Sequence, residues 1–180
     1  TVWNQEGRYQ GSFDTDLAER GRAQADALGT WMKDMPITWA FASPLKRAWE
    51  TAERVLAPRA QAPRLVPEAS FREIGHGSWE GRFAVDIARE EPDLLKAWRE
   101  QPASVTFPGG ESLQDVADRV MPAFGALEEG LKDEEHILIV CHDAILKVIL
   151  CAMHGRPLDD FWKFQQDPTA FNLLIRDAPG

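Results

Sequence analysis

Apolar positions recur along this chain in two rhythms. Leu17, Leu28, Trp31 and Met32 lie on one stripe at helical spacing, the mark of an amphipathic helix running to about residue 33. Asp16 with Glu19 resembles a capping box at its start, and Pro36 ends it. Residues 37–42 form a short unbroken apolar run, which predicts a buried parallel strand. Ser43 and Pro44 then predict a helix to about Leu56, with serine as N-cap and proline at the first helical position. Residues 64–66 suggest another short strand, and residues 82–101 two helical pieces broken at Pro92. Ser112 with Asp115 caps a helix to about Gly130, in which Pro122 predicts a kink or break. Residues 136–141 read as a second buried strand. Residues 144–154 read as a helix with Gly155 as its C-cap and Pro157 just beyond, and residues 170–176 as a final strand. Alternation of strands and helices predicts an α/β fold in three layers, a mostly parallel sheet flanked by helices. Trp31, Trp39 and Trp49 fall on apolar patterns and are expected in the core; Trp98 and Trp162 are expected at a lid or dimer contact.

Length fits one domain spanning residues 1–180, and 44% hydrophobic with 27% charged residues is a globular balance. No apolar run approaches the roughly 18 residues of a membrane helix, so no membrane partner is expected. The net charge of −9 argues against nucleic acid, which needs a basic surface. It leaves room for a small phosphorylated metabolite, because a few arginines focused in a cleft outweigh a negative exterior locally. Two cysteines, Cys141 and Cys151, make no disulfide framework, and a reduced cytoplasmic protein is expected. No metal-ligand cluster of convincing spacing occurs, so no metal or other cofactor is expected.

In open α/β sheets ligands bind beyond the carboxyl ends of the strands. Two predicted strands end in polar clusters there: Ser43-Pro44-Leu45-Lys46-Arg47 after the first, and His142-Asp143 after the second. A predicted helix follows each, turning backbone N–H groups and the positive end of its dipole to one crevice, an arrangement suited to an anion. Arg47 could aim its planar fork of donors at the same place. Alone, each fragment also reads as ordinary: an arginine in a first helical turn is commonly solvated, and a histidine ending a strand is commonly a satisfied polar group. A third cluster, Phe71 to Gly81, packs three glycines, His76, Glu73, Glu80 and Trp79 into eleven residues; a glutamate there would serve as a general acid if burial raised its pKa, and the plain alternative is a surface turn. A fourth, Trp3 to Gly11, reads as a glycine-punctuated loop with Asn4 and Arg8 as donors, or as a frayed terminus.

These segments, in this order, resemble the histidine phosphatase (phosphoglycerate mutase-like) superfamily. Trp3-Asn4 with Gly7-Arg8-Tyr9-Gln10-Gly11 is similar to the loop following that family's nucleophile. Ser43 to Ala48 is similar to its second arginine motif, and Arg72-Glu73-Ile74 through Trp79-Glu80-Gly81 to the loop bearing its acid. Gly109-Gly110-Glu111-Ser112 matches a helix start and Val140-Cys141-His142 the second histidine. Family members open with an apolar strand ending in Arg-His-Gly-Glu-Thr, and Thr1 resembles that threonine. The nucleophilic histidine and the first strand are therefore expected upstream of Thr1, and the 180 residues alone are expected to be inactive. His142-Asp143 departs from the family's usual His-Gly, placing an extra negative charge beside the anion site.

The resemblance implies a phosphomonoester hydrolase working through a phosphohistidine without a metal. Arg47 and His142 would hold phosphate oxygens, Asn4, Arg8, Gln10 and Gly11 would line the substrate site with Asp143, and Glu73 would protonate the leaving alkoxide. Only 69 positions separate Glu73 from His142, little room for the longer insertion of cofactor-dependent mutases, so a phosphatase is favoured over a phosphoglycerate mutase. Likeness to metal-independent phosphoserine phosphatases gives His76 two readings, donor to a substrate carboxylate or filler of an apolar position; broad-specificity phosphatases share most of these motifs. A non-catalytic pseudophosphatase or phospho-ligand-binding module is the alternative should the histidine be lacking. Pairing as a homodimer is common among small members.

Overall fold

A computed structural model of the protein describes residues 1–175. Its sheet has three parallel strands in the order β2-β1-β3. β1 is Trp39–Ala42, β2 Leu65–Pro67 and β3 Ile137–Val140. Ala40 pairs with Leu65 and with Leu138, and Ala42 with Pro67 and Val140. The helices are α1 (Val2–Glu6), α2 (Glu19–Met32), α3 (Lys46–Leu56), α4 (Ala84–Glu90), α5 (Pro92–Glu100), α6 (Leu113–Gly130) and α7 (Asp143–Met153).

Where local chemistry is strong, these elements begin as the residues dictate. Ser112 and Asp115 form a reciprocal capping box at the start of α6, satisfying two N–H groups that the helix itself leaves unpaired. Pro92 takes the first turn of α5, where its missing donor is not needed. Around the α4–α7 half of the molecule a core closes on aromatic rings. Trp79, Phe107, Trp98 and Phe161 are all buried, with ring centroids 5.0–5.2 Å apart and tilted to one another, which suits the ring quadrupoles. Ile145, Val148 and Ile149 of α7 and Leu113, Val116 and Val120 of α6 complete it.

Several expectations are corrected. α2 starts at Glu19 behind Ala18, with no side-chain cap; Asp16 instead pairs with Lys46 at 3.6 Å. α3 starts at Lys46, two residues beyond Pro44, because Ser43 is buried and accepts from Leu45 N across a tight turn. α6 runs unbroken through Pro122, its packing against α7 holding it together. The segment after Thr1 is one helical turn, with Thr1 Oγ1 accepting from Asn4 N, and only its exit at Gly7 to Gly11 is a loop. Trp31 and Trp39 lie at the surface and Trp49 is half-buried, its indole donating to Glu53; helical and strand spacing put them on mixed faces that no element covers. Trp98, expected at a lid, is core. Residues 170–175 are not a strand. An apolar run becomes a strand only beside a backbone it can pair with, and these residues lie across a cavity from the free edge of β3. Arg176, the last residue of that predicted strand, is outside the described residues.

Candidate active site

Strand register brings the first two clusters together. Ala42 stands opposite Val140, so the residues that follow each strand meet. Ser43 N donates to Val140 O at 2.9 Å, and Ser43 Oγ and His142 Nε2 share a hydrogen bond of 2.8 Å. Arg47, on the first turn of α3, is buried and donates through its two terminal nitrogens to Phe13 O at 2.7 Å and Gly11 O at 2.8 Å. It thereby clamps the loop leaving α1 onto the strand ends. Burial pushes its guanidinium below the ordinary value, while the carboxylates of Glu73, Asp14 and Glu80 oppose that shift; an arginine stays charged throughout.

The acid loop hangs from β2 and is seated by α6. Arg119 donates to Ser70 O at 2.6 Å and to Glu111 at 2.8 Å, and Glu111 in turn accepts from Gly75 N at 2.7 Å. The loops 75–77 and 108–110 lie backbone to backbone, with Ser78 N on Pro108 O and Glu111 N on Gly75 O. A side chain on Gly77 would place its Cβ 2.2 Å from Pro108 O, and φ there is +51°, so only glycine fits. This fixes Glu73, whose carboxylate accepts from Ile74 N at 3.0 Å. Burial pushes its pKa up to about 7; the Ile74 amide and Arg47 pull it down, and Asp143 raises it. A carboxylic acid balanced at neutral pH can both give and take a proton.

The two histidines differ from that acid in the opposite sense. Burial, with Arg47 adding to it, lowers His142 well below its ordinary value, and burial pushes His76 down to about 4. Both are thereby held neutral, and His142 contributes a hydrogen bond, to Ser43 Oγ, rather than charge. His76 sits edge-on to Tyr9, Phe107 and Trp98, and its Nδ1 is buried without a partner among the described residues. Burial raises Cys141 to about 12, so its thiol stays protonated. Cys141 and Cys151 are both free.

One cavity of about 1940 Å³ is lined by the candidate catalytic and substrate-binding residues Asn4, Arg8, Gln10, Gly11, Arg47, Glu73, His76, His142 and Asp143. Their engagement differs. Asn4 and Gln10 bond to each other, and Gln10 also accepts from Thr1 and Thr15. Arg8 stacks over Phe83 and pairs with Glu6 at 2.6 Å, so it is committed at the rim. Asp143 pairs with Lys147 at 2.8 Å. Among the described residues no group of three or more His, Cys, Asp or Glu could hold a metal ion. Sequence reasoning missed the roles of three side chains. Glu80 receives Ser12 N and His76 N and so ties two loops; Ser43 orients His142 rather than capping α3; Lys147 holds Asp143. The last had a readable signal, since an acid and a base four apart on a predicted helix face each other.

The model of the histidine phosphatase superfamily (branch 1) matches residues 1–180. The chain belongs to the histidine phosphatase superfamily. It is 34% identical over 174 residues to phosphoserine phosphatase 1 of Hydrogenobacter thermophilus, covering 96% of this chain and 80% of that protein. It is 30% identical over 174 residues to the adenosylcobalamin/alpha-ribazole phosphatase of Escherichia coli, covering 97% and 84%. Among solved structures, Bacillus stearothermophilus YhfR superposes with a TM-score of 0.85 at 31% identity, covering 92% of this chain and 80% of that one. A mycobacterial glucosyl-3-phosphoglycerate phosphatase complexed with VO3 gives 0.83 at 28% identity, covering 92% and 81%. The α/β fold is thus that of the phosphoglycerate mutase-like relatives, and the relatives named here as phosphatases support hydrolase activity within the superfamily.

Proposed function

We propose that the protein hydrolyses phosphomonoesters of small metabolites through a phosphohistidine, with phosphoserine as the first candidate substrate. The observation that carries this reading is a buried guanidinium, a neutral imidazole and a carboxylic acid of pKa about 7 around one cavity. Phosphoryl transfer needs charge neutralisation and in-line positioning above all. Arg47 supplies fixed positive charge and His142 a hydrogen bond to the phosphate oxygens, with no metal entering the reaction. The attacking histidine is the one that the resemblance places before Thr1: its nitrogen bonds to phosphorus as the ester P–O bond breaks. Glu73 gives its proton to the departing alkoxide. It then takes one from water as that water attacks the phosphohistidine, which releases inorganic phosphate and restores both groups.

Phosphoserine is favoured by the likeness to a phosphoserine phosphatase; His76 lines the cavity with its Nδ1 buried and unpaired, and would meet a substrate carboxylate once its ring turns. The free thiols suit a reducing cytoplasm. The test has two parts. Joining an apolar strand ending in Arg-His-Gly-Glu ahead of Thr1 should bring hydrolysis of an aryl phosphate; no gain counts against the mechanism. A panel of phosphoserine, 3-phosphoglycerate and sugar phosphates should then favour phosphoserine, with His76→Phe raising KM for it alone. A flat profile removes the phosphoserine assignment, and conversion of 3-phosphoglycerate to 2-phosphoglycerate would make the protein a mutase. Phosphate binding without turnover in the extended chain would make it a binding module.

A further inference from the structure

Asp143 poses a problem that the mechanism leaves unsolved. It opens α7 directly after His142 and lines the same cavity as Arg47 and Glu73, so its charge opposes the anion those residues attract. The structure also holds a buried ammonium that the mechanism does not use. Lys147, one turn along α7, is almost fully buried, and burying a lysine is costly unless it is paired. Its Nζ lies 2.8 Å from Asp143 Oδ2. The same nitrogen stands 4.4 Å from the Trp162 ring centroid and 4.9 Å from that of Phe161, within reach of cation–π attraction. Trp162 is itself fixed, its indole donating to Trp98 O at 2.6 Å. The ammonium is therefore held from three directions, and Asp143 is the only carboxylate paired with it among the described residues.

We propose that Lys147 is a positioning residue, seated under Trp162 and Phe161, that holds the Asp143 carboxylate off the phosphate seat and cancels its charge there. This rests on the phosphate-handling reading above and adds what allows an aspartate to stand beside the second histidine. The remaining influence of Asp143 falls on Glu73, which it helps to keep protonated. The other groups acting on Glu73 are Arg47 from α3, the amides of Ile74 and Ala144, the Cys141 thiol, and Arg119 from α6, which donates to its carbonyl.

Two readouts on the 180-residue chain test this. The first is binding of inorganic phosphate by calorimetry. Lys147→Met should weaken it several-fold by leaving Asp143 uncompensated. Adding Asp143→Asn to that variant should restore it, and Lys147→Arg should retain it. A double variant as weak as Lys147→Met would overturn the proposal, because Lys147 would then be either a direct phosphate ligand or merely structural. The second is the protonation midpoint of Glu73 followed by carboxyl-carbon NMR, which needs no ligand. Lys147→Met should raise the midpoint and Asp143→Asn should lower it by roughly half a unit, the effect of one nearby charge. An unmoved midpoint in both sinks the proposal. Asp143→Asn is nearly isosteric, so it keeps the test open should Lys147→Met fail to fold. Absence of phosphate binding by the unaltered chain even when extended by the strand and Arg-His-Gly-Glu, with the midpoints shifting as expected, would instead count against the phosphatase site while leaving the pairing in force.

Discussion

The two sides of the molecule beside β3 are built differently. Towards α4–α7, Trp79, Phe107, Trp98 and Phe161 meet at close, tilted contacts with no exposed face. On the other side each residue of Ile137–Val140 stays half-buried along a free strand edge, and Phe171, Leu173, Leu174 and Ile175 stand exposed across the cavity. The candidate site lies on the seam between the two. Glu73 and His76 belong to the packed side, whose loops lie backbone to backbone. Arg47 and His142 stand at strand ends that border the open side. An acid with the role proposed for Glu73 must be held to a fraction of an ångström, and the close packing on its side supplies this. Among the described residues no strand pairs with the outer edge of β3, the kind of edge that accepts another extended segment.

The sharpest break of this contrast is truncation on the packed side. Trp79 is fully buried against Tyr9 and Phe107, and its indole donates to Glu91. Trp79→Ala should cost about 3–5 kcal/mol of unfolding free energy, read by urea denaturation. A cost below about 1 kcal/mol would show that this side is no better packed than the other.

Second in size is a pH effect at the seam. The Glu73 pKa in the folded protein, about 7, lies above its ordinary 4.5. The folded state thus keeps a proton that the unfolded chain has lost, so stability falls as pH rises from 4.5 through about 7. The loss is roughly 3 kcal/mol at most. Glu73→Gln should therefore be more stable than the parent above neutral pH by up to that amount, the gain vanishing towards pH 4.5. An equal difference at both ends would assign the effect to packing and not to the charge.

Much of the site was legible in the sequence because it depends on order along the chain. Strand ends followed at once by helices put Arg47 and His142 at one edge of the sheet, and parallel pairing then forces them together. The glycine density around Glu73 marked an irregular loop; that Gly77 and Gly110 press it against another backbone was not legible. What escaped were properties of faces. Trp31 and Trp39 fit apolar periodicities, but periodicity does not say whether anything covers the stripe. Residues 170–175 carry strand-like composition, but a strand also needs a free edge within hydrogen-bonding reach. Ser43 was legible as a polar residue at a strand end, but its partner His142 is 99 positions away.

A smaller effect probes the clamp that joins the N-terminal loop to the packed side. Gly11 has φ +55°, and a Cβ there would fall 2.2 Å from Glu80 Oε1. Gly11→Ala should cost roughly 1–3 kcal/mol from the left-handed backbone and the displaced carboxylate together. Because Arg47 donates to Gly11 O, phosphate affinity should fall alongside stability in the same variant. Lost stability with unchanged phosphate binding would separate the clamp from the site.

The smallest expected effect closes the contrast from the open side. Ile145 and Ile175 are the same side chain in opposite settings, 0% and 75% exposed. Ile145→Ala should cost about 2–5 kcal/mol, whereas Ile175→Ala removes atoms that already face water and should change stability by less than about 0.5 kcal/mol. A cost above 1 kcal/mol at Ile175 would mean that this flank is covered in solution. Repeating the melt over a range of protein concentrations would then identify the cover. A midpoint that rises with concentration marks a second copy of the chain, since association stabilises by mass action. A constant midpoint marks the chain's own apolar residues folding back onto the β3 edge, and the two sides of the molecule would then differ in sequence more than in packing.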